Sequence, residues 1–330
     1  MTTRAGDRSD GTTVWATPAW RERATAWADD ELAAQGVRRT GAVEQPHLRP
    51  WSTVLRLPTS AGSVWLKAPG PGLASEVGLY PVLARWAPEH VLVPYAVDAE
   101  RRWLLLPDGG EVLGRRLTPE AADRWHLALA GYARLQQRVS RAADLLVAAG
   151  APDHRPQRLT ALLEEVADDA AAVTVTDEER EVVARARRER GRVEELAGVL
   201  ADDGTPPTVQ HDDLHRDNVF AHGPRVFDWG DAVVAHPYAS LLVALRDTAA
   251  PYGVGLEDPR VLAARDAYLA PYGGPTAATL RVVEAARTVG ILSRTASWLR
   301  ALAPLPPHEA ADVREAPYRW LAMLADGESL

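Results

Sequence analysis

Three polar side chains in one short stretch of the chain carry groups that suit the handling of a phosphoryl group. Asp213 and Asn218 lie five residues apart, and Asp228 follows ten residues after Asn218. A carboxylate can orient an attacking hydroxyl, whereas a carboxamide oxygen and a second carboxylate are hard oxygen ligands of the kind that Mg²⁺ prefers. Phosphoryl transfer requires mainly such positioning and charge stabilisation from the protein. The set is therefore typical of that reaction.

Two residue types that occur only once strengthen this interpretation. Of the 37 Lys and Arg residues only Lys67 is a lysine, which leaves 36 arginines, and Asn218 is the only asparagine. A GC-rich genome accounts for the bias as a whole, but that drift spares positions where substitution fails. Lysine is a flexible point charge that the planar fork of arginine does not replace, and asparagine offers a neutral ligand oxygen. Both residues are therefore candidates for one site.

The polar stretch has the spacing of a protein-kinase catalytic loop, H-R-D-L-x-x-x-N. Asp212 stands in place of the arginine. Ten residues beyond the loop, the tripeptide DWG that begins at Asp228 matches the D-F-G element. The residues that match the catalytic loop are His211, Asp213, Leu214 and Asn218.

The chain resembles the aminoglycoside phosphotransferases and their kin, which include choline, ethanolamine, fructosamine and homoserine kinases. HDDLHRDN at residues 211–218 is similar to the signature HGDLHxxN of that family, and FDWGDA at residues 227–232 is similar to its second acidic segment. Upstream, VWLK ends at the strand lysine Lys67, Glu76 follows in the next helix, and WLLLPDGG at residues 103–110 resembles the hinge. The resemblance covers about residues 40–320, the span of one two-lobed kinase unit.

The resemblance implies a role for each of the central residues. Asp213 corresponds to the catalytic carboxylate, which accepts or orients the proton of the acceptor hydroxyl. Asn218 and Asp228 correspond to the residues that hold Mg²⁺. Lys67, fixed by Glu76, corresponds to the lysine that stabilises charge on the nucleotide phosphates.

Further positions are expected to bind the nucleotide or to support the loop. Leu106 and Asp108 lie in the segment that resembles the hinge, where backbone groups accept adenine. His211 resembles a histidine that braces the catalytic loop, while His215 and Arg216 either contact the γ-phosphate or shape the loop. The implied cofactors are ATP, with GTP as the alternative, and Mg²⁺.

The position of a phosphate-binding loop stays open at this point. The chain has no G-x-G-x-x-G pattern. The turn at residues 49–53 contains Ser52 and Thr53, which can offer hydroxyl and backbone N–H groups to phosphate oxygens. An ordinary turn at the start of a strand is an equally good interpretation.

Bulk composition limits the partners and the compartment. The 330 residues are 46% hydrophobic, have a formal net charge of −8 and include no cysteine. This length supports two lobes, and the negative charge argues against nucleic acid as a partner. The lack of cysteine, of an apolar leader and of an apolar run long enough to span a membrane predicts a cytoplasmic protein without membrane contact. The expected partner is a small-molecule hydroxyl acceptor, and the expected state is a monomer or homodimer.

The acceptor is predicted only coarsely. Net negative charge and Asp231, close behind Asp228, suit a cationic aminoglycoside or amino sugar. Arg294 and Trp298, in a long predicted helix, are further candidates for the acceptor site. A neutral sugar, a macrolide or a choline-like molecule stays open as an alternative, and so does a metabolic role rather than antibiotic resistance.

Two other functions are compatible with the same residues. One is a kinase-like module that binds nucleotide without turnover, although Asp213, Asn218 and Asp228 are all intact. The other is a metal-dependent hydrolase that uses His211, Asp212 and His215, which would need further ligands at metal-binding spacing, with His222 and His236 as the only near candidates.

The elements that must position these residues follow from hydrophobic periodicity. A leading helix is predicted at residues 18–35, a hairpin at Ser52–Leu57 and Ser63–Lys67, a helix at Leu73–Trp86, and strands at Val91–Val97 and Arg101–Leu106. Pro107 and the three residues after it break the pattern. We therefore predict an α+β, protein-kinase-like two-lobed fold, with a β-rich N-lobe at residues 1–106 and a helical C-lobe at residues 107–330.

Helical periodicity dominates the predicted C-lobe. The exception is residues 208–234, which read as loop, strand, turn, strand and loop with polar groups at the loop ends. The predicted helices are Pro119–Val139, Ala142–Ala149, Arg158–Asp169, Asp177–Leu200, Tyr238–Ala249, Asp258–Leu269, Thr276–Leu302 and Pro307–Ala325.

Overall fold

The computed structural model describes residues 12–116 and 118–327. Residues 1–11, 117 and 328–330 of the predicted lobes lie outside this description. The chain begins with helices, continues through an antiparallel five-stranded sheet and then becomes mainly helical. The predicted order, a β-rich part with a leading helix followed by a helical part, is confirmed.

The β-rich part contains three helices and one sheet in the strand order β1-β2-β3-β5-β4. Its elements are α1 (Thr12–Trp15), α2 (Pro18–Ala33), β1 (Glu44–Arg49), β2 (Ser52–Thr59), β3 (Gly62–Pro69), α3 (Ser75–Trp86), β4 (Ala96–Asp98) and β5 (Trp103–Pro107).

Local sequence explains where the leading helix begins. The Thr17 side chain accepts a hydrogen bond from the Trp20 N–H, and Pro18 occupies the first helical turn. Both are favourable at a helix N-terminus, because the first N–H groups have no partner within the helix. Trp20 then packs edge to face on Trp103 of β5, with ring centroids 6.2 Å apart.

Alternation along the strands gives the sheet two different faces. Val64 and Leu66 of β3 lie fully buried in a small core against α2. Their neighbours Trp65 and Lys67 point to the other face, which lines a cleft. The sheet therefore carries Lys67 at a fixed position between an apolar core and that cleft.

Two predictions in the β-rich part are wrong in extent. Strand β1 was not predicted, because its sequence EQPHLR contains Pro46 and lacks apolar alternation; as an edge strand it tolerates the missing N–H. The predicted strand Val91–Val97 is a strand only at Ala96–Asp98. Val91 and Leu92 instead lie buried in a loop ahead of Pro94.

The helical part follows the predicted periodicity closely. Pro119 begins its first helix with Thr118 as the capping residue, and Thr176 with Glu179 forms a capping box at another. The elements are α4 (Pro119–Val139), α5 (Ala143–Ala148), α6 (Leu159–Ala172), α7 (Asp177–Arg188), α8 (Arg190–Asp202), β6 (Thr208–Gln210), β7 (Val233–Ala235), α9 (Leu241–Ala249), α10 (Pro259–Leu269), α11 (Ala277–Leu302), α12 (Pro307–Ala310) and α13 (Ala316–Ala325).

Several predicted boundaries differ from the structure. The predicted helix Asp177–Leu200 is two helices, because the chain breaks at Glu189 between α7 and α8. Within Pro307–Ala325 the helical pattern is interrupted by turns at residues 311–315. The predicted strands around Val219 and Val226 meet in a single antiparallel bridge, while β6 and β7 form the ladder on either side of the polar stretch.

The larger hydrophobic core crosses the predicted lobe boundary. Val77 and Leu83 of α3 and Leu104 and Leu106 of β5 belong to the same buried cluster as the helical part. The division at residue 106 therefore stays a prediction. In the described part of the chain, no helix is both long enough and apolar enough to cross a membrane.

Candidate active site

A cleft of ≈ 290 Å³ lies between the sheet and the helical part, apolar at one end and charged at the other. Phe220 and Phe227 stack at the apolar end, with ring centroids 4.6 Å apart. Lys67 and Asp228 lie at the charged end. A planar heterocycle with a charged tail matches this distribution of groups.

Lys67 connects three elements through ion pairs. Its Nζ lies 2.7 Å from Glu76 Oε2 on α3 and 2.6 Å from Asp228 Oδ1. The backbone N–H of Trp229 donates to Glu76 Oε1 over 3.0 Å. The predicted pairing of Lys67 with Glu76 is thus present in the geometry, although only nine positions separate the two residues.

Burial and charge act in opposite directions on this group of three. Burial alone would lower the pKa of Lys67, but the carboxylates of Asp228 and Glu76 outweigh it and raise that pKa. Burial raises the pKa of Glu76 to about 7 against the lowering effect of Lys67. For Asp228 the effect of Lys67 exceeds that of burial, so the pKa of this carboxyl is lowered. Lys67 therefore stays charged, and Asp228 stays ionised near neutral pH.

The two acidic loops hold backbone conformations that most residues avoid. Asp212 and Asp228 have φ values of 63° and 65°, in the left-handed region. Non-glycine residues in that region cluster at functional sites, where surrounding contacts hold the strain. In this chain both residues flank or carry the side chains predicted to do the chemistry.

The loop after β6 presents Asp213. Its Oδ1 lies 2.9 Å from Arg294 Nη2, and its Oδ2 lies 3.3 Å from His215 Nε2. Burial would raise the pKa of Asp213, but Arg294 and His215 lower it well below its ordinary value. Asn218 Nδ2 donates to the Asp213 carbonyl over 3.0 Å, which closes the loop.

His211 ties the two acidic loops together. Its Nε2 donates to the carbonyl of Phe227 over 2.9 Å, and its backbone N–H donates to the Tyr132 hydroxyl. Burial lowers the pKa of His211 to about 4, so the ring is neutral at pH 7. This geometry matches the supporting role that the sequence predicts for His211.

Arg216 lies on the far side of the same loop from Asp213. Its Nε forms a buried ion pair with Asp247 Oδ2 at 2.9 Å, and its Nη2 donates to the Asp247 carbonyl. Of the two roles predicted for Arg216, the geometry favours shaping the loop. His215 Nδ1 accepts from the Asp217 N–H, while its Nε2 faces Asp213.

The turn between β1 and β2 separates its two candidate residues. Ser52 lines the cleft and its Oγ lies 3.1 Å from His47 Nε2. Thr53 points to the opposite face of the sheet, where its hydroxyl donates to the His47 carbonyl and accepts from Gln45. His47, which the sequence analysis missed because β1 was missed, also lines the cleft.

The predicted hinge lies against the apolar end of the cleft. Leu106 and Asp108 both line it, and Asp108 Oδ1 accepts from the Gly110 N–H over 2.9 Å. A Cβ atom on Gly109 would lie 2.0 Å from the Phe220 ring. The chain can pass this close to Phe220 only because residue 109 is glycine.

Helix α11 contributes all but one of the residues predicted to bind the acceptor. Arg294 pairs with Asp213 and lies 3.3 Å, Nη1 to Oδ1, from Asp231. Trp298 packs against the Arg294 guanidinium and, edge to face, against Trp51 in the β1–β2 turn. Arg294, Trp298 and Asp231 therefore lie together beside Asp213, but the two charged residues are paired with each other.

Asp212 and Ser297 are site residues that spacing did not single out. The Asp212 side chain accepts from Gln210 Nε2 at 2.8 Å and from Ser297 Oγ at 3.0 Å, and burial raises its pKa to about 6. A departure from the signature HGDLHxxN, where glycine stands in place of Asp212, was the available signal. The side chain braces the loop against α11.

A hydrolase that uses His211, Asp212 and His215 is not supported by this arrangement. His211 bonds the Phe227 carbonyl, Asp212 bonds Gln210 and Ser297, and His215 faces Asp213. Within the described ranges, no group of three or more His, Asp and Glu side chains is arranged to hold a metal ion.

Asn218 and Asp228 form a donor set that fits Mg²⁺ bound together with a nucleotide. The Phe227 N–H donates to the Asn218 carbonyl over 3.1 Å, which places the two residues side by side. The Asn218 amide nitrogen is held by the Asp213 carbonyl and by His215, so its amide oxygen is the group left for a cation. Mg²⁺ commonly takes only one or two protein ligands and completes its shell with phosphate oxygens and water.

A family model described as the phosphotransferase enzyme family matches residues 39–285. The chain belongs to this family. The resemblance read from the sequence is therefore confirmed, and so is the class of enzyme, a small-molecule kinase. No curated protein matches the chain.

Solved structures similar to this chain share its fold at low identity. An ethanolamine kinase of Plasmodium vivax has a TM-score of 0.66 and 10% identity, over 98% of this chain and 95% of that one. A macrolide 2′-phosphotransferase of Brachybacterium faecium has a TM-score of 0.56 and 16% identity, over 94% and 99%. A GDP complex of an aminoglycoside 2′-phosphotransferase variant has a TM-score of 0.57 and 18% identity, over 92% and 96%. The predicted kinase-like two-lobed fold is confirmed.

Proposed function

We propose that this family member transfers the γ-phosphoryl group of a nucleoside triphosphate, ATP or GTP, to a hydroxyl of a small molecule, with Mg²⁺ as the metal. The observation that carries the proposal is the joint placement of Lys67, Asp228 and Asp213 around the charged end of one apolar cleft. His211 links the loops that bear the two aspartates.

Asp213 is the proposed catalytic carboxylate. Its pKa is lowered by Arg294 and His215 against the effect of burial, so it is ionised at neutral pH. An ionised carboxylate accepts the hydrogen bond of the acceptor hydroxyl and aims its oxygen at phosphorus. Arg294 and His215 keep the two carboxylate oxygens in fixed directions.

Lys67, Asn218 and Asp228 are the proposed binding groups for the charged end of the nucleotide. The amide oxygen of Asn218 and the carboxylate of Asp228 would hold Mg²⁺, which would neutralise charge on the phosphate oxygens when bound. Lys67, held in place by Glu76, would donate to the nucleotide phosphates. The side chain of Asp228 is 45% exposed towards the cleft, so it is accessible to these ligands.

The base of the nucleotide is proposed to lie between the hinge and the paired rings of Phe220 and Phe227. Leu106 and Asp108 line this end, and Ser52 with His47 lies towards the phosphates. The hydroxyl of Ser52 is the part of the β1–β2 turn that supports a phosphate contact. The hydroxyl of Thr53, in contrast, is bonded within the sheet.

The finer identity of the acceptor stays a prediction. Aminoglycosides and amino sugars were expected because Asp231 was available to attract cations, but the geometry pairs Asp231 with Arg294. A possible role in antibiotic resistance depends on that acceptor, and placement in the cytoplasm also stays a prediction.

The proposal is tested by following nucleotide consumption with a panel of hydroxylated acceptors. The panel contains amino sugars, neutral sugars, a macrolide and choline, and products are detected by a mass gain of about 80 Da for one phosphoryl group. Asp213→Asn is expected to lower kcat about 10²–10⁴-fold and to leave binding of a non-hydrolysable Mg·ATP analogue nearly unchanged.

Asp217→Asn is the matched control for this experiment. Asp217 lies four residues further along the same loop, is half exposed and pairs with Arg115 at 3.1 Å. Its substitution removes the same charge and is expected to keep turnover within about twofold of the wild type. Equal, undetectable turnover of the wild type and Asp213→Asn, despite binding of Mg·ATP, would favour a nucleotide-binding module over an enzyme.

A further inference from the structure

Arg294 occupies the position where a cationic acceptor would need free carboxylates. Its guanidinium lies 2.9 Å from Asp213 Oδ1 and 3.3 Å from Asp231 Oδ1, and its side chain is only 9% exposed. A guanidinium remains protonated in proteins, so both acidic groups have a permanent positive partner. The negative charge that the sequence offers beside the catalytic loop is therefore largely compensated.

Neighbouring side chains fix Arg294 in this place. The ring of Trp298 lies 5.4 Å from the guanidinium carbon, and Trp298 in turn contacts Trp51. One turn along α11, Ser297 Oγ bonds the Asp212 carboxylate at 3.0 Å and accepts from Arg300 Nη2 at 3.0 Å. Swinging Arg294 aside would break two ion pairs and a ring contact, so the acceptor meets it in place.

These residues lie outside the part of the chain that the family model matches. The match ends at residue 285, whereas Arg294, Ser297 and Arg300 follow on the second half of α11. Their contacts with the catalytic loop are therefore features of this chain that the family match does not describe.

We propose that Arg294 is a specificity-determining residue that excludes ammonium groups from the neighbourhood of the reacting hydroxyl, so that the acceptor is an uncharged polyhydroxyl compound at that end. This inference rests on the proposed phosphoryl transfer and replaces the expectation of a cationic acceptor that was based on Asp231.

The distances make this exclusion effective. An acceptor hydroxyl must lie about 2.6–3.2 Å from the Asp213 carboxylate to be activated. A substituent on the adjacent carbon then lies close to the guanidinium, which itself touches Asp213. A second cation there meets like charge in a partly buried site, and neither Asp213 nor Asp231 is free to compensate it. A hydroxyl or acetamido group carries no such penalty.

A matched pair of ligands tests the proposal. Kanamycin and its fully N-acetylated derivative share their hydroxyl groups and differ in charge. Binding of each is measured by calorimetry in the presence of Mg²⁺ and a non-hydrolysable ATP analogue. The wild type is expected to show no saturable binding of free kanamycin, whereas Arg294→Gln is expected to bind it at least about tenfold more tightly than the wild type does.

Two further variants control for folding and for net charge. Arg294→Lys keeps the positive charge and is expected to keep the exclusion, even if the fork geometry is lost. Arg281→Gln removes an exposed charge from the first part of the same helix and is expected to leave kanamycin binding as in the wild type. Thermal melting and binding of the ATP analogue show whether each variant is folded.

Saturable binding of free kanamycin by the wild type overturns the proposal, and so does an Arg294→Gln variant that binds it no better than the wild type. These failures differ from failure of the proposed function. If the inference alone is wrong, nucleotide consumption that depends on Asp213 persists with amine acceptors. If phosphoryl transfer itself is wrong, no acceptor of either charge supports consumption.

Discussion

Lys67 joins catalysis and stability in one side chain. It is buried with Glu76, which is fully inaccessible, and it also reaches Asp228. Removing the lysine leaves Glu76 without its buried cation, and breaking a buried pair in this way costs about 3–5 kcal/mol. The loss of charge at the phosphate end of the cleft is a separate effect, and the two effects can be distinguished.

Lys67→Met is predicted to lower the free energy of unfolding by about 3–5 kcal/mol and to abolish most turnover. The double variant Lys67→Met/Glu76→Gln is predicted to recover most of the stability, because the remaining side chain is neutral, but none of the turnover. Chemical denaturation and nucleotide consumption measure the two properties. A double variant as unstable as the single one would show that Glu76 does not depend on Lys67 for its charge.

At this scale the sequence predicted which residues meet better than it predicted how they pair. Asp213, Asn218 and Asp228 were found by spacing, and Lys67 by its uniqueness, and all four lie at one end of the cleft. The ion pair of Arg294 with Asp213 joins residues 81 positions apart. Periodicity placed Arg294 on a helix but carried no information on which way that helix is rotated.

Single elements position the site through close backbone contacts. The turn at residues 71–73, just before α3, packs against the end of α11. A Cβ atom on Gly72 would lie 1.9 Å from the carbonyl oxygen of Arg300. Only glycine permits this approach, which joins the element that leads to Glu76 with the helix that carries Arg294.

Gly72→Ala is therefore predicted to destabilise the protein by about 1–3 kcal/mol, because the backbone of α11 must move. The matched control is Gly198→Ala in α8, where an added Cβ meets nothing within 4 Å. That variant is predicted to be neutral or more stable by up to about 1 kcal/mol, since alanine is the better helix former. Urea unfolding of both variants tests the contact, and equal midpoints for Gly72→Ala and the wild type would exclude it.

Helices with clear caps were predicted well, and irregular edges were not. Pro119 and Thr276 marked helix starts correctly because capping chemistry is local. Strand β1 was missed because its pairing with β2, rather than its own apolar pattern, makes it a strand. The break at Glu189 has no proline or glycine of its own to signal it.

Across the whole molecule, three buried neutral histidines make stability depend on pH. Burial lowers the pKa of His154 to about 3 and the pKa values of His211 and His236 to about 4. The unfolded chain binds protons at these sites near pH 6.5, whereas the folded chain does not. Their stabilising effect is therefore present above about pH 6.5 and is lost as pH falls towards 4.

His154→Gln tests this dependence. For the shift of His154, the wild type should lose about 2 kcal/mol more than the variant between pH 7 and pH 5. The variant is expected to be less stable at pH 7, because it loses the contact of His154 Nδ1 with Ser293 Oγ, but to fall less steeply with acid. His222→Gln, at an exposed position, is the control. Parallel stability curves for His154→Gln and the wild type would contradict the assignment.

The fold class of the whole chain could be predicted from the order of its elements together with the kinase-like motifs. The extent of its cores could not, because residues such as Val77 and Leu106 lie in the predicted N-lobe yet pack with the helical part. Such contacts depend on tertiary packing, for which one sequence carries no direct pattern.

The central claim is transfer of a phosphoryl group to an alcohol through Asp213, and an oxygen-labelling measurement tests it most directly. The reaction is run in ¹⁸O-labelled water with Mg·ATP and an acceptor from the panel, and the acceptor and the free phosphate are analysed by mass spectrometry. The account predicts an acceptor heavier by about 80 Da and free of ¹⁸O with the wild type, and its loss with Asp213→Asn. Labelled inorganic phosphate as the only product, formed equally by both proteins, would contradict it.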